Sequence, residues 1–232
     1  MSFAVPTTTA IRLAFCTLCV AVLAGCHSAN NNQHEAANID TDSIAEAPIP
    51  KIEPQTFIAA GDLAASRQQY AQAAHQYGQA LEGLPKDGPT MKKMGICQVK
   101  SGDLPAAIAT FQRYVATTDG AADAYGSLGY AYELSKNPDQ AEKTYQEGIK
   151  KHPDGKLVRI NYGLMLVRHA RVEDAITQLS AVLQPQEVNY DIAGVYDQMG
   201  RKDLAQFYYR KALECDPGFV PARQKLSMVD QN

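Results

Sequence analysis

The amino-acid sequence predicts an all-α fold in which pairs of antiparallel helices stack side by side into a right-handed solenoid. Three observations predict it. Residue types recur every 34 positions from Gly61 onward, the chain has no tryptophan and sustains no strand-like alternation, and aromatic residues fall at helical spacing. About five helix-turn-helix repeats and a C-terminal capping helix are therefore expected between Pro54 and Asn232.

The first 25 residues are typical of an export signal. Arg12 is the only charge before Cys26, and eleven largely apolar residues run from Leu13 to Leu23. A bilayer span needs about 20 such residues, whereas the apolar core of a secretory signal needs about 7–15. Residues 1–25 are therefore expected to be a signal peptide.

The signal ends in Leu23-Ala24-Gly25-Cys26, which resembles the lipobox of bacterial lipoproteins. In that family the cysteine sulfur receives a diacylglycerol and the chain is cut just before it, so the resemblance implies lipidation of Cys26. Two or three acyl chains anchor a protein stably. Residue 27 is not Asp, and in that family this favours the outer membrane, with the protein facing the periplasm. An ordinary signal peptide with a chance cysteine, or a buried helix, is the alternative.

Residues 26–53 are expected to form a disordered tether. They are rich in Ala, Asn and acidic residues and nearly free of aromatic residues, so they cannot bury enough apolar area to offset chain entropy. The stretch from His27 to Glu53 would span roughly 30 Å as flexible coil. His27 and His34 make a poor metal site in mobile chain, and no metal is expected.

Three columns of residues carry the 34-residue period of the folded part. They are Gly61, Gly95, Gly129 and Gly163, then Ala73, Ala107, Ala141 and Ala175, then Tyr77, Phe111, Tyr145 and Leu179. The glycine lets two helices approach closely. The alanine and the bulky residue four positions later share one face of the second helix. A fifth unit repeats the pattern four residues early.

This pattern resembles the tetratricopeptide-repeat (TPR) family over nearly all of residues 54–219. It implies repeats at 54–87, 88–121, 122–155, 156–185 and 186–219, and a cap over 220–232. Gly102-Asp103 is a turn signal, and Asn137-Pro138 is a helix start. The fourth unit is short and places Pro185 early, which predicts a shortened second helix. Leu226 is expected to cover the last apolar face.

Charge and motif content argue against nucleic-acid binding and against catalysis. The formal charge is −3, and five acidic and two basic residues precede Pro54, so the rest of the chain is neutral. Phosphate binding needs a basic face. His75, His152 and His169 fall in different repeats, and no phosphate-binding loop or nucleophile elbow occurs. A non-enzymatic protein without cofactor or small-molecule substrate is expected.

The TPR resemblance places a defined set of first-helix positions in a concave groove. In units two to four this set is unusually apolar, and exposed apolar patches usually mark interaction sites. The predicted protein-binding residues are Ile96, Val99, Lys100, Tyr130, Leu134, Ile160, Asn161, Leu164, Val167 and Arg168. Such a groove can take an amphipathic helix or an extended segment. Lysines and arginine at its rim would select acidic groups. The alternative is that these are core residues.

The lipobox, tether and repeats together resemble outer-membrane lipoproteins of pilus systems. The segment from Val158 to Leu179 is most similar to the Tad/Flp pilus assembly lipoprotein. That resemblance implies a pilotin-like role, in which the protein binds an outer-membrane secretin and aids its assembly. The rival interpretation is a general envelope adaptor for peptidoglycan hydrolases or outer-membrane assembly factors.

Overall fold

Eleven α-helices and no strand occur in the computed structural model, which describes residues 51–230. The prediction of an all-α fold is confirmed. In chain order the helices are α1 (Pro54–Ser66), α2 (Tyr70–Gly83), α3 (Gly88–Ser101), α4 (Leu104–Thr117), α5 (Ala122–Leu134), α6 (Pro138–Lys151), α7 (Lys156–Arg168), α8 (Val172–Ser180), α9 (Pro185–Gln198), α10 (Lys202–Cys215) and α11 (Val220–Asp230).

The first ten helices form five helical hairpins. Each odd-numbered helix packs against the even-numbered helix that follows it, and each even-numbered helix packs against the first helix of the next hairpin. We call these hairpins units one to five. Contacts run between neighbours along the chain, as expected for a repeat solenoid in which each unit buries its apolar face against the next.

Every hairpin turn places one residue in the left-handed backbone region. These residues are Gln68, Gly102, Lys136, Ala170 and Gly200, with φ between 59° and 84°. The next residue but one starts the second helix. Asp103 and Asn137 cap their helices by accepting hydrogen bonds from backbone amides three residues on, at 3.2 and 3.3 Å. The turn and the cap predicted from the sequence are thus both present.

The glycine column sets how closely the helices of a unit approach. A Cβ atom added at Gly129 would lie 2.4 Å from a ring carbon of Tyr145, which is shorter than any van der Waals contact. The same crowding occurs at Gly61, Gly95 and Gly163. Tyr145 is fully buried, and its partners in the other units are too. The predicted columns therefore form the seam between the two helices of each unit.

Unit four departs from the others as the sequence predicts. Its second helix, α8, has 9 residues, against 14 in α6 and in α10. Pro185 is the first residue of α9, so the fourth unit ends one residue earlier than the expected boundary. Gln184 and Glu187 form a reciprocal capping box at the start of α9. Because α8 is shorter by about one turn, the fifth unit begins earlier in the sequence than the 34-residue period predicts.

The last helix closes the stack. α11 packs against α10 and α9, with Ala222 fully buried and Leu226 half-buried against the core. This is the expected capping helix. Cys26, the signal segment and nearly all of the tether lie outside the described residues. Among residues 51–230, no helix combines the length and hydropathy of a membrane span.

Candidate protein-binding groove

The first helices of the units share one face, which we call the groove and define by α3, α5, α7 and α9. α5 packs against α7, and α7 against α9. Ion pairs join consecutive first helices across this face. They are Lys93–Asp62 at 2.8 Å, Lys92–Asp123 at 2.9 Å, Arg168–Glu133 at 2.5 Å and Lys225–Asp197 at 3.9 Å. These pairs connect the first helices from α1 to α7 and join α9 to the cap, and among the described residues no such pair joins α7 to α9.

The predicted groove residues fall into three groups by exposure. Ile96, Tyr130 and Leu134 are the exposed apolar ones, with 40%, 41% and 38% of their surface accessible. Lys100 is also exposed. The half-buried ones are Val99, Ile160, Asn161, Leu164 and Arg168. Leu157 on α7 is 37% exposed. Large apolar side chains with about two-fifths of their surface in water therefore lie on the first helices of units two, three and four.

Val167 does not line the groove, and its assignment as a binding residue is wrong. It is 1% exposed and belongs to the core between units three and five. The helix α7 is apolar at four consecutive positions from Leu164 to Val167, because it packs against the helices on both sides as well as against α8. Spacing alone could not separate the buried face from the exposed one in such a helix.

The basic side chains at the groove are already engaged within the protein. Lys92, Lys93 and Arg168 form the ion pairs named above, and the amino group of Lys100 lies 4.9 Å above the ring of Tyr70. Burial raises the pKa of Asp123, but hydrogen bonds from Lys92 and Tyr114 outweigh it and hold the pKa below its ordinary value. An acidic group on a partner would have to displace these contacts.

Asn161 also has a partner within the fold. Its side-chain amide donates a hydrogen bond to the backbone carbonyl of Gly126 at 3.1 Å, which ties α7 to α5. A buried helical carbonyl already takes part in its own helix, so the amide uses its second lone pair. Asn161 therefore sets the spacing of two first helices at the centre of the groove.

The groove continues beyond the residues predicted from the sequence. A cavity of about 250 Å³ lies between α7, α9 and α11, with Leu164, Arg168, Tyr190, Asp191 and Lys225 among its lining residues. Burial raises the pKa of Asp191, and the neighbouring charge of Glu187 adds to this rise. The sequence signal existed, because α9 repeats the groove positions of the other units, but it is displaced by the four missing residues of unit four.

The histidines and the other possible metal-ligating side chains of the described residues are scattered over the repeats. Within residues 51–230 no three His, Cys, Asp or Glu side chains come together in a way that would hold a metal ion. His152, one of the three histidines in the repeats, donates a ring N–H to the carbonyl of Gly120 at 2.7 Å and so fastens the end of unit three.

A stack of helical hairpins with exposed apolar side chains on a shared face defines a class of repeat scaffolds that bind other polypeptides. The chain belongs to the tetratricopeptide-repeat family. Models described as "Tetratricopeptide repeat" match residues 92–155, 135–191 and 186–219. Proteins of this family serve as protein-interaction scaffolds.

Curated relatives share the repeats. The mouse Tetratricopeptide repeat protein 21B is 26% identical over 195 residues, which cover 82% of this chain. The Arabidopsis thaliana Hsp70-Hsp90 organizing protein 3 is 28% identical over 86 residues, or 37% of this chain. The matched part is about 15% of the length of each relative.

Solved structures share the fold. TTC0263, a thermophilic TPR protein of Thermus thermophilus, has a TM-score of 0.56 at 23% identity and covers 77% of this chain and 100% of its own. MamA has a TM-score of 0.52 at 22% identity and covers 71% of this chain and 92% of its own. At these identities the likeness supports the architecture of the stack.

Proposed function

We propose that the protein is a lipid-anchored scaffold whose groove binds a helical or extended segment of a cell-envelope protein. The observation that carries the proposal is the strip of apolar side chains on α3 and α5, where Ile96, Tyr130 and Leu134 each expose about two-fifths of their surface. Leaving such side chains in water is unfavourable in the free protein, and covering them with a partner removes that cost.

Within that class, we propose a pilotin-like role with a secretin as partner. The support is the likeness of Val158–Leu179 to the Tad/Flp pilus assembly lipoprotein and the lipobox at Leu23–Cys26. The anchor would be lipid on Cys26, followed by a polar tether that reaches roughly 30 Å from the membrane surface. The groove would then meet its partner close to the outer membrane on the periplasmic side.

The groove is tested by a double variant, Tyr130→Asp plus Leu134→Asp, assayed by pull-down from membrane extract of the source cell. Two charges on the exposed strip should abolish capture of a specific envelope protein, because buried apolar anchors carry most of the binding energy in an interface. The matched control is Ile176→Asp plus Phe207→Asp. These residues are 39% and 49% exposed but lie on second helices.

The outcome also separates the two candidate partners. A secretin that is captured by the wild type and the control but lost with the groove variant supports the pilotin-like role. A peptidoglycan hydrolase with the same pattern supports the adaptor role. If the folded groove variant retains every partner, the groove is not the binding site.

The membrane anchor is tested separately at Cys26. The Cys26→Ser variant should leave the protein uncleaved or released from membranes, since no other acylation site is proposed. Mass spectrometry of the mature N-terminus should show diacylglycerol and an N-acyl chain on the wild-type cysteine. An unmodified cysteine in a membrane-free wild-type protein contradicts the anchor and leaves the groove proposal standing.

A further inference from the structure

Asp191 on α9 is a half-buried groove carboxylate without an ion pair or hydrogen bond among residues 51–230. The charge of Lys156, at the start of α7, lowers the pKa of Asp191 but forms no ion pair with it. The other carboxylates that face neighbouring first helices are paired with a lysine or arginine. They are Asp62, Asp123, Glu133 and Asp197. Asp191 is therefore the carboxylate of this series that forms no ion pair with a lysine or arginine.

The open space beside Asp191 is built by a glycine. In the other units the same first-helix position carries a side chain, and these residues are Asp62, Ile96, Tyr130 and Leu164. In α9 the position is Gly194, and a Cβ atom added there would meet nothing within 4 Å. This gap opens the cavity of about 250 Å³ that Asp191 and Tyr190 line.

The charges around the cavity leave one negative charge unmatched. The guanidinium of Arg168 donates two hydrogen bonds to the Glu133 carboxylate, at 2.5 and 2.9 Å, and so is engaged on the side of α5. Lys225 lies 3.9 Å from Asp197. After these two pairs, the carboxylate of Asp191 remains. A bidentate Arg–carboxylate pair is among the stronger ones, so Arg168 is not free to turn toward Asp191.

The aromatic lining also suits a cation. Tyr190 lines the cavity, and its ring lies 5.6 Å from that of Tyr209. Ring faces attract ammonium and guanidinium groups. The protein already uses this contact on its own first and second helices, where Lys100 lies 4.9 Å from the ring centre of Tyr70.

We propose that this cavity receives a lysine or arginine side chain of the bound polypeptide, so that the partner segment carries a basic residue beside the apolar residues that cover Tyr130 and Leu134. The inference rests on the proposed groove function and adds the chemistry of the partner. Burial raises the pKa of Asp191, which means that the fold itself does not stabilise the ionised form. An incoming cation would supply that stabilisation. The cavity has two carboxylates, Asp191 and Asp197, and Asp197 faces Lys225. This ligand set is too small for a metal ion.

The test uses a displayed library of random peptides, selected on the full-length protein. Wild-type protein should enrich peptides with Lys or Arg at a fixed distance from two or more apolar residues. Asp191→Asn should weaken binding of those peptides at least about 10-fold and remove the basic preference, while the apolar preference remains. Gly194→Leu, which fills the cavity and keeps the carboxylate, should have the same effect. Asp203→Asn, an exposed acidic residue of α10, is the matched control.

The remaining outcomes separate this inference from the groove function. Selected peptides that are apolar without a basic residue, or that bind Asp191→Asn as tightly as wild type, overturn the inference and leave the groove function intact. If the wild type enriches no peptide, or if Tyr130→Asp plus Leu134→Asp binds the selected peptides unchanged, the groove function fails and the inference fails with it. Circular dichroism melting of each variant checks that it is folded. If Asp191→Asn does not fold, Gly194→Leu alone tests the inference.

Discussion

Asp191 should make the folded protein less stable at neutral pH. Burial raises the pKa of its carboxyl in the folded state, and the charge of Glu187 adds to the rise while Lys156 opposes it. A raised carboxyl pKa means that the folded state binds the proton more tightly than the unfolded state, so ionisation favours unfolding. The group therefore destabilises above its folded pKa, and this penalty disappears as the pH falls toward the unfolded value near 3.8.

The Asp191→Asn variant should consequently have a larger free energy of unfolding than wild type at neutral pH. The difference should shrink as the pH falls toward the unfolded value, because both chains are then neutral at this position. Urea denaturation at a series of pH values measures it. A variant that is less stable than wild type at neutral pH would mean that the carboxylate has a favourable partner in the folded state.

Substitution of two leucines of α5 should distinguish a core position from a groove position by its effect on stability. Leu128 is 7% exposed, and Leu128→Ala should lower the free energy of unfolding by about 2–5 kcal/mol, since it leaves a cavity between units two and three. Leu134 is 38% exposed, and Leu134→Ala should cost below about 1 kcal/mol. Chemical denaturation of both variants decides this. Equal losses would place Leu134 in the core and remove it from the binding strip.

At the scale of residues, the sequence predicted the packing columns better than the groove. Gly129 and Tyr145 were recognisable because close helix approach demands a small residue opposite a large one at a fixed spacing. Val167 was misplaced because α7 is apolar around most of its circumference. Tyr190 and Asp191 were missed because the shortened fourth unit displaces their spacing. A sequence pattern identifies a residue that must be small, whereas the exposure of a side chain depends on contacts with helices up to two further along the chain.

The hairpin turns are the elements most open to stabilisation. Ala170 has φ 60°, a conformation that costs a residue with a side chain roughly 1–2 kcal/mol relative to glycine. Ala170→Gly should therefore raise the free energy of unfolding by up to about 1 kcal/mol, after the greater flexibility of glycine in the unfolded chain is subtracted. Gly102→Ala, at the same position of unit two, should lower it. Parallel urea titrations check the pair, and changes of the same sign would contradict the turn assignment.

A methyl group added at a helical glycine should destabilise a crowded seam and stabilise an open helix face. Gly129→Ala places a methyl group 2.4 Å from the Tyr145 ring, so it should destabilise by about 1–3 kcal/mol. Gly194→Ala meets nothing within 4 Å and should stabilise by about 0.5–1 kcal/mol, because alanine favours the helix. Thermal denaturation of the two variants measures the contrast. A neutral Gly129→Ala would show that the seam between α5 and α6 opens without loss.

For the whole molecule, the terminal helix should control stability and solubility. α11 covers α10 and buries Ala222, and Phe219 just before it stacks edge-on against Tyr190 at 5.6 Å. Deleting residues 220–232 should expose the last apolar face, lower Tm by several degrees and promote self-association. Val220→Ser, at a 51% exposed position, is the control. A truncated protein that melts like wild type and stays monomeric on gel filtration would show that α11 is no cap.

The arrangement of the whole stack followed from the sequence more fully than any single site. The 34-residue period fixed the number of units, and Pro185 marked the short fourth one, because both depend on local chain chemistry. The ion pairs between first helices did not follow, since Lys93 and Asp62 are 31 positions apart and no local rule relates them.

The ion pairs between first helices have a mechanical consequence. Each one joins two neighbouring helices along the groove, so bending of the stack at that point must stretch or compress the pair. The resistance of the stack to bending is therefore partly electrostatic. Salt screens the attraction between exposed charges over a Debye length of about 8–10 Å at physiological ionic strength and about 3 Å at 1 M. The stack should therefore bend more easily as salt is added. The dissolved ions around the protein would then help to set how widely the groove opens to admit a partner.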